Sequence, residues 1–226
     1  MDRGMGNLIM IVGLVVLVGV SVPGCVRQQA GIEKVKELGG TVEIDKEKPG
    51  ASVMTVSLMD SKVSDVELGF LKDLEGLQTL DLRNTEINGE GLKQLKGVRS
   101  LQTLWLHHCP ITDAGAREIK ELDSVRRLDL GHSRISDAGL AYIGEMKGLE
   151  YLCLSDTGIT DAGLKNLKKL QELTYLDIND TNITDAGIDH LNDLTKLVQV
   201  DARGTKCTDA GLLRLEEAPA RNRRNR

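Results

Sequence analysis

"DTGITDAGLKNL", residues 156–167, returns as "DTNITDAGIDHL" at 180–191 and, in shorter form, as "CPITDAGAREI" at 109–119. A string repeated at a fixed interval has to be read as architecture first, because one geometric unit written many times produces chance matches to catalytic patterns. Working outward from these strings gives a single template, L-x-x-L-x-L-x-x-[T/S/C]-x-I-[T/S]-D-A-G-L-x-x-L. It starts at Val53, Leu77, Leu101, Val125, Leu149, Leu173 and Leu197. Each start lies 24 residues after the previous one without insertion, so residues 53–220 hold seven copies. This spacing predicts a solenoid in which every rung buries its apolar face on its neighbours.

The template also predicts the structure inside a rung. L-x-L has period two and makes a short strand, with the leucines on one side and the intervening residues on the other. In D-A-G-L-x-x-L the apolar residues recur every three positions, which is the pattern of a short helix or of tight helical turns. The Thr or Ser before the acid can cap that helix, and the acid sits at the positive end of its dipole. Ile-Thr-Asp-Ala-Gly is therefore the corner from strand to helix. In the second copy Asn88-Gly89-Glu90-Gly91 stands at this corner instead, which predicts weaker capping there.

These residues resemble the leucine-rich-repeat proteins, and within them the Thr-Asp-Ala-Gly-Leu type abundant in planctomycete bacteria. The resemblance covers residues 53–220. It implies an α/β solenoid, a horseshoe of seven 24-residue repeats with a concave parallel sheet and short helices on the convex side. It also implies a role in binding other macromolecules.

The two ends are of different material. "LIMIVGLVVLVGVSV" is a 15-residue uncharged run, short for a bilayer span of roughly 20 residues but suited to the apolar core of an export signal. It ends in Val22-Pro23-Gly24-Cys25, which looks like a bacterial lipobox. Residues 1–24 are thus expected to be a lipoprotein-type signal peptide, Cys25 to carry the lipid, and the chain to sit in the cell envelope as a membrane-anchored lipoprotein. The alternative is an uncleaved N-terminal membrane anchor. Residues 25–52 are expected to form a linker and a capping helix and strand, with Ala30, Ile32, Val35 and Leu38 along one helix side. Residues 221–226, "RNRRNR", are expected to be a disordered basic tail.

Composition narrows the function. Aromatic residues make up 2% of the chain, so the core must be aliphatic. The formal charge is −5 although the tail alone holds four arginines, so the body carries a larger acidic excess and no nucleic acid is expected as partner. Cys109, Cys153 and Cys207 fall on separate, non-adjacent rungs. With rungs about 4.8 Å apart, Cys109 and Cys207 are about 19 Å apart, beyond disulfide reach, and all three are read as free thiols.

No catalytic pattern survives inspection: the chain contains no G-x-S-x-G, H-E-x-x-H or C-x-x-C, and the glycines of "GEGLKQLKG" at 89–97 belong to a repeat corner. A non-enzymatic protein is expected, with no cofactor. The informative positions are the four columns that the template leaves free on each strand, because these project from the concave face. Arg83, Trp105, His107, His108, Arg127, His132, Tyr151 and Tyr175 lie in them. Trp, Tyr and Arg dominate binding hot spots, so the columns are the candidate surface for a protein or peptide, presented by a monomer. The competing reading is a scaffold or spacer solenoid without a specific ligand. His108, His132 and Asp156 share one column beside His107 and are plausible zinc or nickel ligands. Side chains spaced along a sheet are expected to splay, however, so no metal site is assigned.

Overall fold

A computed structural model of the chain describes residues 23–45 and 52–217. The apolar run and the basic tail lie outside the described residues, as does the side chain of Cys25. Helix α1 spans Pro23–Glu37, and the sheet runs in chain order from β1 (Thr41–Asp45) through β2 (Ser52–Ser57), β3 (Thr79–Asp81), β4 (Thr103–Trp105), β5 (Arg127–Asp129), β6 (Tyr151–Cys153) and β7 (Tyr175–Asp177) to β8 (Gln199–Asp201). β1 pairs antiparallel with β2, and every later pair is parallel.

The register is the 24-residue period made visible. Leu80, Leu104, Leu128, Leu152 and Leu176 are partners across β3 to β7 and are fully buried. The opposite face of each strand therefore carries the free columns, rung above rung. Behind the strands lie short helices: α2 (Asp113–Ile119), α3 (Asp137–Ile143), α4 (Asp161–Leu164), α5 (Asp185–Asp189) and α6 (Asp209–Glu217). The first two rungs have 3-10 helices instead, at Asp65–Asp73 and Glu90–Leu95, and a third 3-10 helix at Lys165–Lys169 continues α4. The core is one continuous file of Leu, Ile and Val between the two layers.

α1 closes the open end with Ile32, Val35 and Leu38 of the expected side, and departs from it at Ala30. Ile32 and Val35 are buried and Leu38 is half-buried, whereas Ala30 is exposed and Gly31 turns inward. A methyl group on Gly31 would lie 2.6 Å from Cδ2 of Leu74, so only a residue without a side chain lets the helix approach this closely. At the far end Val198 and Leu213 are exposed, at positions that are exposed in earlier rungs as well, where Thr174 and Lys165 stand.

The Ile-Thr-Asp-Ala-Gly corner does more than cap a helix. Asp113 accepts the backbone N–H of Ser136 at 2.8 Å and its hydroxyl at 2.6 Å, both from the next rung. Asp137 holds Thr160, Asp161 holds Thr184 and Asp185 holds Thr208 in the same way. A ladder of carboxylates thus ties rung to rung along the edge of the sheet, where four isolated parallel bridges accompany it. The first rung joins through Asp65, whose carboxylate takes the N–H groups of Asn88, Gly89 and Gly91. Between the second and third rungs the backbone carbonyl of Asn88 accepts from Thr112 at 3.3 Å. Gly89 at this corner offers no side-chain cap.

The invariant spacing of Asp and Gly follows from the ladder. A Cβ on Gly139, Gly163, Gly187 or Gly211 would collide with the carboxylate of the aspartate one rung earlier. Gly→Ala in a helix ordinarily stabilises by about 0.5–1 kcal/mol. Here the sign inverts: Gly163→Ala is expected to destabilise by about 1 kcal/mol or more, because it displaces Asp137 and breaks both of its hydrogen bonds to Thr160. Chemical denaturation of Gly163→Ala beside wild type checks this, and a gain in midpoint would contradict the ladder.

Candidate binding face

Two of the four free columns are carried by the strands, and the other two lie just past the strand ends. Thr79, Thr103, Arg127, Tyr151 and Tyr175 are register partners in the first column, and Asp81, Trp105, Asp129, Cys153 and Asp177 in the second. The fourth column lies on the turn just beyond. Asp60, Asn84, His108, His132, Asp156 and Asp180 all adopt positive φ, between 49° and 59°, and Gly204 completes the series. Asn, Asp, His and Gly are the residues that tolerate this left-handed conformation, so the residue types in the column are set in part by the backbone.

On the strands, four predicted residues join into one strip. Trp105 meets Tyr151 edge to face at 5.6 Å between ring centroids, and Tyr151 stacks on Tyr175 at 4.8 Å with the planes 2° apart. The guanidinium of Arg127 lies over both Trp105 and Tyr151, at 5.8 and 5.5 Å from their centroids. The three rings are half-buried and Arg127 is exposed. Rings held against one another in this way are restricted before any partner arrives, which lowers the entropic cost of binding. Burial also raises the Tyr151 and Tyr175 hydroxyls above their usual range, so both remain neutral donors.

Arg83 stands apart from the strip. It is forked onto the carboxylate of Asp81, with contacts of 2.9 and 2.6 Å, and Asp81 is only 7% exposed. Its charge is already matched, which reduces what it can offer a partner, and this pairing raises the Arg83 guanidinium further above its ordinary value.

The histidines, which sheet spacing is expected to splay, converge instead. His108 and His132 stack at 4.0 Å between centroids, and His107 meets them edge-on at 4.5 and 4.8 Å. Two causes combine. The left-handed turn swings His108 and His132 back over the strand ends, and Gly131 leaves open the place where a third-column side chain would stand. A Cβ there would lie 2.7 Å from Cε1 of His107. Nδ1 of His107 reaches Asp129 at 3.3 Å, and Nδ1 of His132 reaches Asp156 at 2.7 Å. His108 is lowered from its ordinary value by partial desolvation and by the neighbouring imidazoles. Asp129 as a partner for His107 escapes a column-by-column reading because it lies diagonally, 22 residues on.

A family model described as Zer-1-like, leucine-rich repeats matches residues 69–216. The chain belongs to this leucine-rich-repeat family. No curated protein matches it in sequence. Among solved structures, internalin C2 from Listeria monocytogenes strain 4b F2365 is similar in fold, with a TM-score of 0.54 and 20% identity over 85% of this chain and 92% of that one. Internalin F from the same strain gives a TM-score of 0.57 and 20% identity over 74% of this chain and 53% of that one. At such identity the likeness is one of fold. The leucine-rich-repeat fold commonly serves as a protein–protein interaction module.

The cysteines of the leucine-rich repeats are free thiols, with Cys109 and Cys153 buried and Cys207 partly exposed. Cys153 faces the sheet surface between Asp129 and Asp177, and burial followed by these carboxylates pushes its thiol up to about 12. A thiol held protonated is a poor nucleophile. Iodoacetamide at about pH 8 should therefore alkylate Cys207 at least about tenfold faster than Cys153. Peptide mass spectrometry over a time course reads both rates, and equal rates would show that the sheet surface does not shield Cys153.

Proposed function

We propose that this leucine-rich-repeat chain is a non-enzymatic, monomeric binding module of the bacterial cell envelope that holds a protein or peptide on its concave face. The observation that carries the reading is the Trp105, Arg127, Tyr151 and Tyr175 strip. Four residues of the types that dominate hot spots are contiguous, preorganised and open to solvent on adjacent rungs, in a chain with few other aromatics. The acidic character of the chain supports a protein partner over nucleic acid. His107, His108 and His132 flank the strip, and Arg83 contributes less because Asp81 holds it.

The envelope placement rests on residues 1–25, whose uncharged run and Gly24-Cys25 fit a lipoprotein leader, with Cys25 as the lipid anchor. Its alternative is an uncleaved N-terminal anchor. The Thr-Asp-Ala-Gly-Leu corners fit the leucine-rich-repeat type abundant in planctomycete bacteria. Radiolabelled palmitate is expected to enter the wild-type chain and to be absent from Cys25→Ala, which should also remain unprocessed. Normal processing of the alanine variant would remove the lipoprotein reading.

Binding is tested by crosslinking in the native host followed by mass spectrometry, and then by affinity measurement with the partner so found. Trp105→Ala or Tyr151→Ala should weaken binding by about 2 kcal/mol or more, whereas Lys165→Ala and Lys168→Ala on the convex side should leave it unchanged. Loss in the lysine variants with retention in the aromatic ones would move the working surface to the convex side. The absence of any saturable partner would favour the spacer reading.

A further inference from the structure

We propose that His107, His108 and His132 form a binding site for a divalent transition-metal ion of the zinc and nickel class, on the concave face beside the aromatic strip. The site stands on its own geometry, whether or not the strip binds a partner.

The donor atoms come first. One ring nitrogen of each histidine lies within 4.8 Å of the corresponding atoms of the other two. A tetrahedral ion with Zn–N distances of about 2.0–2.1 Å needs its nitrogens about 3.4 Å apart. The difference is within reach of small ring rotations, since His108 and His132 are exposed. Three imidazoles leave a further coordination position open to solvent. Neutral imidazole suits zinc, copper and nickel, and does not select magnesium or calcium.

The surroundings are those of a metal centre as well. Asp156 at 2.7 Å and Asp129 at 3.3 Å face Nδ1 of His132 and of His107, and the tautomer with the proton on Nδ1 satisfies both carboxylates while leaving Nε2 free to ligate. A carboxylate behind a ligating imidazole fixes its tautomer and orientation and raises its basicity. Asp129 is itself held, its Oδ1 accepting the N–H of Gly131 at 2.9 Å. Gly131 has a second part, since the ring of His107 occupies the place its side chain would fill.

Backbone conformation does not account for the cluster. The left-handed turn explains why a residue such as His is tolerated at positions 108 and 132, but Asp or Asn serves there equally in four other rungs. His107 lies in the third column, outside that series, where the backbone makes no such demand. A competing donor set, His107, Asp129 and Cys153, shares one histidine with the first and can be separated from it by experiment.

The test uses the untagged full chain in detergent, dialysed to equilibrium against Zn²⁺ and, for spectroscopy, Co²⁺. The expected result is one equivalent of Zn²⁺, with affinity falling at least about tenfold in His107→Ala and in His132→Ala and unchanged in His190→Ala. Gly131→Ala keeps every ligand but displaces His107, and should also lose about tenfold, with its far-ultraviolet circular dichroism matching wild type. The Co²⁺ form should show ligand-field bands without a thiolate charge-transfer band. Unchanged stoichiometry and affinity in the histidine variants, or no binding at all, would overturn the site. A thiolate band that disappears in Cys153→Ser would also overturn it and assign the ion to the competing set.

Discussion

Each corner aspartate from Asp113 to Asp185 gives both carboxylate oxygens to the rung that follows, and much of the molecule can be derived from that one contact. The acceptor pair has to meet a backbone N–H and a hydroxyl on the same residue 23 positions later, which selects Thr or Ser there and tolerates no insertion between them. It also requires the glycines at Gly139, Gly163, Gly187 and Gly211, since the neighbouring carboxylate occupies the volume that a side chain would need. The four letters of the corner are therefore coupled across rungs as well as within one, where Thr112, Ser136 and Thr184 cap their own helices. Where Asn88-Gly89-Glu90-Gly91 interrupts them, a backbone carbonyl takes over and the local helices tighten to 3-10 geometry.

The functional face inherits this regularity. Because the register is locked, residues 24 apart become direct neighbours, and Tyr151 and Tyr175 stack nearly parallel simply by occupying the same place in successive copies. A side chain on such a surface has few choices. It matches a neighbour, as Arg83 matches Asp81, or it joins an array, as Arg127 does over Trp105 and Tyr151. The histidine cluster arises where the pattern relaxes, at Gly131, where a missing side chain admits a ring from the rung before.

How much of this was legible beforehand divides along physical lines. The solenoid, the buried leucines and the membership of each column follow from spacing alone, because translation by 24 residues preserves the environment of every position. The convergence of the imidazoles depends on two local facts that spacing does not carry, the left-handed turn at His108 and His132 and the gap at Gly131. The turn had a readable signal, a column made only of Asp, Asn, His and Gly. The gap had one too, a lone glycine among larger residues in the third column. On α1 only Ala30 escapes the pattern, for a related reason, since hydrophobicity favours Ala30 while close packing against Leu74 places Gly31 inward.

The ladder's chemistry has a bearing on where such a scaffold can operate. Along most of its length the partners of its carboxylates are neutral N–H and O–H groups, with Arg214 near Asp185 as a charged addition at the end. Dissolved ions screen attraction between opposite charges but leave hydrogen bonds to neutral donors largely intact. The same screening relieves the mutual repulsion of a row of like charges. The joints of the ladder therefore hold over a wider range of ionic strength than the surface ion pairs that also cross rungs, such as Lys120 with Glu145 and Lys196 with Glu172.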